Sequence, residues 1–276
     1  MIKFGDCLDL MKEMEDNSVD LIVTSPPYFD AIDYNNGVTY TYDEYIEWLV
    51  IRLNEMHRII KKSGSIIFNI NDKCEKGFRL PYVFDLVSDV NKMTKLKFYD
   101  RYIWQKPNTL PYQGKRLNDR LEFIFHWVKH KDFKANTEAI LQPYSEKSLE
   151  RMNPKYDFKT NQKIVDGIRQ TTEAKKIKPA KGGTKPSTLF NFKTAGAIKN
   201  KGEKHPAPFH PDLPEFFIKW LTNDGDVVLD PFGGSFTTYK QATDMNRNAI
   251  AFEINEDYKI FVPETKNEED EDEFWG

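Results

Sequence analysis

Two stretches, far apart in the chain, carry residue types that do chemistry. The first, Thr24-Ser25-Pro26-Pro27-Tyr28, follows the apolar run Val19 to Val23. Such a run reads as a buried strand, and two prolines cannot donate to a sheet ladder, so the strand ends there. The stiff chain beyond it presents a hydroxyl (Ser25), a proline carbonyl (Pro26) and an aromatic ring (Tyr28) at the strand's carboxyl end, where open α/β sheets bind ligands. A hydroxyl and a carbonyl hold an amine by two hydrogen bonds, and a ring stacks on a planar base. Pro26-Pro27 alone reads equally as an ordinary proline turn.

The second stretch, Val227-Val228-Leu229-Asp230-Pro231-Phe232-Gly233-Gly234-Ser235-Phe236-Thr237-Thr238, reads as strand, glycine turn and helix start. Glycines let the backbone approach a ligand closely, and a helix N-terminus offers N–H groups. Glu253 ends the next strand, about 20 residues on, where a nucleoside-binding α/β unit sets an acid against ribose hydroxyls. A charged strand end is the plain alternative. The absence of Gly-Lys-Ser/Thr after the turn excludes a nucleoside-triphosphate P-loop.

The elements that must position these residues alternate strand and helix. Ile2-Lys3-Phe4 is a strand candidate, Cys7 to Met14 has helical spacing, and Val19 opens the next strand, a parallel βαβ unit. Asp43 is expected to cap a helix whose apolar residues run from Ile46 to Ile60, with Lys61, Lys62 and Gly64 ending it. Ser65 to Ile70, Tyr99 to Trp104 and Leu121 to Val128 read as strands, and Val83 to Val90 as a helix. Regularity fails from His130 to Lys201 and resumes with a helix over Pro211 to Leu221. A strand over Asp226 to Leu229, a helix over Thr237 to Met245 and a strand over Ala249 to Phe252 complete the series.

The 276 residues suffice for one large domain with an insertion. No run approaches the roughly 20 apolar residues of a membrane helix, and no signal peptide opens the chain. Two cysteines, Cys7 and Cys74, imply a reducing, cytoplasmic setting, and no Cys/His cluster has zinc spacing, so no metal is expected. The net charge of -3 conceals an asymmetry. Lys129 to Lys204 holds about 18 Lys/Arg against about 8 Asp/Glu, roughly +10, the footprint of a nucleic-acid partner or of a merely lysine-rich insertion. Glu268 to Glu273 is an unbroken acidic run.

Asp230-Pro-Phe-Gly-Gly-Ser-Phe-Thr-Thr resembles the S-adenosylmethionine-binding motif of DNA amino-methyltransferases, and Thr24-Ser-Pro-Pro-Tyr28 resembles their catalytic motif. Their order resembles the circularly permuted β group of that family. Gly5-Asp6-Cys7, Ile103 to Pro107, Arg120 to Phe125 and Lys204 to Phe209 resemble further segments of its core, so that the resemblance covers roughly residues 1–130 and 204–260. It implies an α/β, Rossmann-like fold: a mostly parallel twisted sheet with helices on both faces, and an inserted target-recognition region. The implied parts are a catalytic half (1–129), a basic insertion (130–203), a cofactor half (204–262) and an acidic tail (263–276).

The resemblance further implies methyl transfer from S-adenosyl-L-methionine to the N4 amine of a cytosine flipped out of double-stranded DNA. Ser25, Pro26, Pro27 and Tyr28 would be the catalytic residues. Asp6, Cys7, Ser25, His205, Asp230, Phe232, Gly234, Ser235, Thr237 and Glu253 would bind the cofactor. Asp30, Asp33 and Tyr34 lie just beyond the catalytic motif. A cognate restriction endonuclease is the implied protein partner, with the enzyme a monomer or homodimer. Rival readings are an adenine-N6 target, an RNA or protein substrate, and a non-catalytic nucleic-acid-binding subunit. The family has glycine where Phe236 stands; a bulky residue there is expected to alter the turn or cover the cofactor.

Overall fold

The computed structural model of the protein describes residues 1–29, 40–107, 115–152, 163–165, 168–170, 182–194, 199–200, 203–204 and 210–263. In chain order the elements are β1 (Ile2–Phe4), α1 (Cys7–Lys12), β2 (Val19–Thr24), α2 (Tyr42–Ile59), β3 (Ile60–Ile70), β4 (Lys73–Glu75), β5 (Phe78–Leu80), α3 (Tyr82–Met93), β6 (Lys97–Gln105) and β7 (Leu121–Val128). Then come α4 (Glu146–Met152), β8 (Lys163–Val165), β9 (Ile168–Gln170), β10 (Leu189–Phe190), β11 (Lys199–Asn200), β12 (Glu203–Lys204), α5 (Asp212–Leu221), β13 (Val227–Asp230), α6 (Thr237–Asp244) and β14 (Asn248–Glu253). Among the described residues no helix is long and apolar enough to cross a membrane.

The main sheet has the order β1-β14-β13-β2-β3-β7-β6-β10 among the described residues. Its strands are parallel except β7, which runs antiparallel to both β3 and β6. Alternation along the strands separates two cores. Ile22, Ile66, Phe68 and Ile70 face α1, α2 and α3, while Leu21, Val23 and Ile67 face α5 and α6. β13, late in the chain, pairs with β2, early in the chain. From there β2 leads through α2 to β3 on one side, and β13 leads through α6 to β14 on the other. The strand order therefore reverses between β13 and β2, and that crevice is the topological switch point where such sheets take ligands.

Two local readings are corrected. Thr41, not Asp43, caps α2: its hydroxyl accepts from Glu44 N–H while Glu44 returns to the Thr41 N–H, a complete capping box. At its other end α2 stops at Ile59, and Ile60 is already extended as the first residue of β3. Lys61, Lys62 and Gly64 thus lie in a strand. Lys61 and Lys134 there neutralise Asp20, a buried carboxylate that also accepts from Val227 N–H at 3.0 Å.

The chain divides into two compact units, residues 1–135 with 188–276, and Asn136–Ser187. The second unit contains α4, the β8–β9 hairpin and a reciprocal backbone bridge between Gln142 and Thr184. It carries eleven Lys/Arg against six Asp/Glu, a net +5. β10, inside the stretch read as an insertion, returns to the main sheet beside β6.

Candidate active site

The carboxyl ends of β1, β14, β13, β2, β3 and β6 share one edge of the sheet with the start of antiparallel β7, and the residues singled out from sequence gather there. At the switch point itself Thr24, the last residue of β2, donates its hydroxyl to Asp230 at 2.6 Å. Asp230 ends β13 and also accepts from Phe232 N–H at 3.1 Å. It is fully buried, and burial pushes its carboxyl up to about 7, against the hydrogen bonds from Thr24, Phe232 and Thr238. Asp230 therefore ties the two motifs together from beneath.

Beyond Thr24 the catalytic motif is held by side chains from distant strands. Ser25 Oγ lies 3.4 Å from the Tyr28 hydroxyl. That hydroxyl donates to Glu122 at 3.0 Å and accepts from Asn69 Nδ2 at 2.9 Å. Asn69 Nδ2 also donates to Glu122 at 2.7 Å, and the Lys106 ammonium pairs with the other Glu122 oxygen. Pro27 accepts from the Tyr45 hydroxyl at 2.8 Å. Glu122 and Asn69 are buried, and Asn69 Oδ1 has no hydrogen-bond partner. Its amide is not free to turn over, since that would set Oδ1 against the Glu122 carboxylate. Asn69, Lys106 and Glu122 were missed as site residues. The available signal was a polar residue inside each of two otherwise apolar strand patterns.

The glycine turn is built the opposite way, from its own backbone. Gly233 N–H donates to Phe252, and Phe236 N–H returns to Gly233, each at 2.7 Å. Gly234 has φ +53°, a left-handed conformation natural to glycine. Its N–H donates at 2.7 Å to Glu253, whose other oxygen accepts from Asn255 N–H at 2.8 Å. Burial raises the Glu253 carboxyl above its usual range while these backbone donors oppose the rise. The turn's anion-binding nest is thus filled by the protein's own carboxylate, which suits hydroxyls and repels phosphate. Ser235 and Thr237 hydroxyls pair with each other at 2.9 Å, and no side chain caps α6.

Phe236 corrects an expectation. It takes φ +57° at the N-cap of α6, so the turn keeps the form a glycine would give it. Its ring is fully buried, edge-on to Phe4 and packed with Ala251 and Phe261. A β-carbon at Gly233 would fall 2.9 Å from that ring. Phe236 fills a core beneath the turn rather than covering the cleft above it.

On the β1 side, Asp6 caps α1 by accepting from Leu8 N–H at 2.7 Å. Both its oxygens also receive Arg52 Nη2, at 2.8 and 3.0 Å. Arg52 lies 3.9 Å over the Trp48 ring, and Trp48 in turn packs against Phe232 and Tyr40. This aromatic wall beside the glycine turn was not foreseen. Cys7 is a packing residue: burial pushes its thiol up to about 12, which Arg52 only partly offsets. His205, Asp30, Asp33 and Tyr34 lie outside the described residues. Among the described residues no cluster of His, Cys, Asp or Glu could hold a metal ion.

A doubly wound sheet with an acid-filled glycine turn on one side of its switch point and a proline-framed hydroxyl on the other defines a Rossmann-like methyltransferase fold. The family model for DNA methylases matches residues 19–262, and the chain belongs to this N6/N4 DNA methylase family. It is 27% identical to the type II methyltransferase M.PvuII of Proteus hauseri, over 92% of this chain and 80% of that protein. It is 29% identical to the DNA adenine methyltransferase YhdJ of Escherichia coli K12, over 92% of this chain and 78% of that protein. The solved cytosine-N4-specific PvuII DNA methyltransferase gives a TM-score of 0.71 at 21% identity, covering 96% of this chain and 86% of that one. A DNA modification methylase of Thermus thermophilus, TTHA0409, complexed with S-adenosyl-L-methionine, gives 0.60 at 21% identity, covering 94% and 90%. These structural likenesses share the fold, with the catalytic strand early and the cofactor strand late in this chain.

Proposed function

We propose that this chain methylates the exocyclic N4 amine of a cytosine flipped out of duplex DNA, at a specific sequence, as the modification partner of a restriction endonuclease. S-adenosyl-L-methionine is the methyl donor; when bound it supplies an electrophilic methyl group on a sulfonium. The residues around the glycine turn fit it. Glu253 accepts from ribose hydroxyls, Asp6 from the adenine amine, and Trp48 with Phe232 gives a planar group an apolar wall. Ser235 and Thr237 lie at the uncapped start of α6, on the methionine side.

The observation that carries the reading is Ser25-Pro26-Pro27-Tyr28 at the switch point, fixed by Glu122 and Asn69 across from the acid-filled turn. Ser25 Oγ and the Pro26 carbonyl accept the two amine hydrogens, which leaves the nitrogen lone pair facing the cofactor side. The Tyr28 ring stacks on the base. Its hydroxyl is anchored by two buried partners, so the ring is set before the base arrives. Catalysis is then mainly orientation. The basic second unit supplies phosphate contacts and base readout. Phe236, turned into the core, gives no support to a non-catalytic subunit.

A second reading, methylation of adenine N6, is favoured by the likeness to a DNA adenine methyltransferase over most of the chain. One experiment separates the two. Purified protein is incubated with labelled S-adenosylmethionine and mixed-sequence duplex DNA, and the product is digested to nucleosides. N4-methylcytosine, lost in Ser25→Ala, is expected. N6-methyladenine would move the target to the second reading. No labelled nucleoside would remove the DNA-modifying activity.

A further inference from the structure

The β4–β5 hairpin leaves the main sheet immediately after β3, whose end carries Asn69. Lys73 at its start holds its ammonium 5.5 Å from the centroid of the Phe29 ring, next in sequence to Tyr28. The hairpin therefore stands at the rim of the base-holding motif. Its two-residue turn, Lys76-Gly77, has φ of +46° and +86°, both positive as a type I′ turn requires. The turn projects Phe78, which is 76% exposed. An apolar ring at a hairpin tip adds nothing to the core and costs solubility, so its position asks for a partner.

The hairpin is braced rather than loose. Arg79 pairs with Asp72 and, at 2.7 Å, with Asp119, just before β7. Arg116 donates to the Gly77 carbonyl at the tip. That bond sets two short sequences side by side, Lys76-Gly77-Phe78 and Lys115-Arg116-Leu117, each placing cations next to an exposed apolar side chain. Leu117 is 91% exposed and the Lys76 side chain 90%. Cations beside an apolar tip match a phosphate backbone flanking a base step. Proteins that open such steps use apolar wedges.

We infer that Phe78 is a wedge that enters the duplex at the target base pair, with Lys76 and Arg116 on the flanking phosphates, and fills the stack the flipped base leaves. This rests on the DNA reading above. The role is in opening the pair, not in methyl transfer, so it matters only when the target is paired and stacked.

The test uses a duplex oligonucleotide carrying the sequence around the modified base, mapped in DNA that the wild-type enzyme methylates. A second duplex is identical except for an abasic site opposite the target. Phe78→Ala is expected to lower turnover on the paired duplex by about tenfold or more, and to come within about threefold of wild type on the abasic duplex. Phe78→Trp should keep turnover on both. Equal loss on the two duplexes would assign Phe78 a structural or general binding role and overturn the wedge, as would unchanged turnover on the paired duplex. If the wild-type enzyme methylates no duplex at all, the DNA reading and the wedge fall together, a result visible before any variant is made.

Discussion

The two loops flanking the switch point are built by different means. The turn after β13 closes on its own backbone: Gly233, Gly234 and Phe236 N–H groups all find partners within the turn or on the next strand. The motif after β2 leans on side chains from elsewhere, with Asn69 from β3, Glu122 from β7 and Lys106 from the end of β6 converging on Tyr28. A backbone-made site is stiff and tolerates changes to surrounding side chains. A side-chain-made site is precise only while each contributor stays in place.

The largest expected effect probes the backbone side. Phe236→Ala removes a fully buried ring and should cost about 3–5 kcal/mol in denaturant unfolding. Phe236→Gly loses the same ring but frees a left-handed residue from its strain, so it should be the more stable of the two by about 1 kcal/mol. Alanine equal to or better than glycine would show that the turn changes form when the ring goes.

On the side-chain side, Glu122→Ala leaves Lys106, Asn69 and Tyr28 without their shared acceptor. The expected stability loss is about 2 kcal/mol, and the displaced Tyr28 should lower kcat roughly 100-fold. Cofactor affinity, read by calorimetry with S-adenosylmethionine, should not move. A parallel fall in that affinity would mean the two loops are one unit.

The pH dependence tests what joins them. Asp230 is raised to about 7 in the folded protein against about 4 when unfolded, so between those values the native state binds more protons and stability falls as pH rises. Asp230→Asn keeps an acceptor for Thr24 and removes this slope, so its stability relative to wild type should be greater at pH 8 than at pH 5, by roughly 1–3 kcal/mol. His126, buried between Tyr102 and Ser65, is pushed down to about 3 by burial. It gives the opposite slope between about 3 and 6.5, with stability lost as pH falls, so the two contributions are separable in paired urea titrations. A relative stability of Asp230→Asn that is the same at both pH values would place a compensating charge beside Asp230.

The smallest effect concerns the frame. Thr41→Ala should cost about 1 kcal/mol through the lost cap, and Asp43→Ala less than about 0.5 kcal/mol. Equal costs would put the cap of α2 back on Asp43.

The same contrast explains what was legible in the sequence. Asp230 to Thr238 with Glu253 was readable because a backbone-made turn is written in consecutive residues and one spaced acid. Ser25 to Tyr28 was readable as a motif, but not its supports. Asn69 and Glu122 sit inside Ser65–Ile70 and Leu121–Val128, runs recognised as strands for their apolar residues, and which distant strands meet is decided by topology. Thr41-x-x-Glu44 was a legible capping box overlooked for the nearer acid, Asp43. The end of α2 carried no signal because the chain passes from helix to strand at Ile60 with no turn between them. Trp48 and Arg52 looked like members of a helix face, and only the meeting of α2 with Asp6 and Phe232 gives them another role.

The Glu253 carboxylate on the Gly234 N–H also bears on competition inside a cell. An adenine pocket at a glycine-rich turn would ordinarily attract the triphosphate that dominates the adenosine pool. With its donor already occupied by a fixed negative charge, this turn meets the first phosphate of such a nucleotide with like-charge repulsion in a half-dry setting. A single acid at the end of one strand thus lets a scarce, cationic adenosine derivative load in the presence of an abundant anionic one.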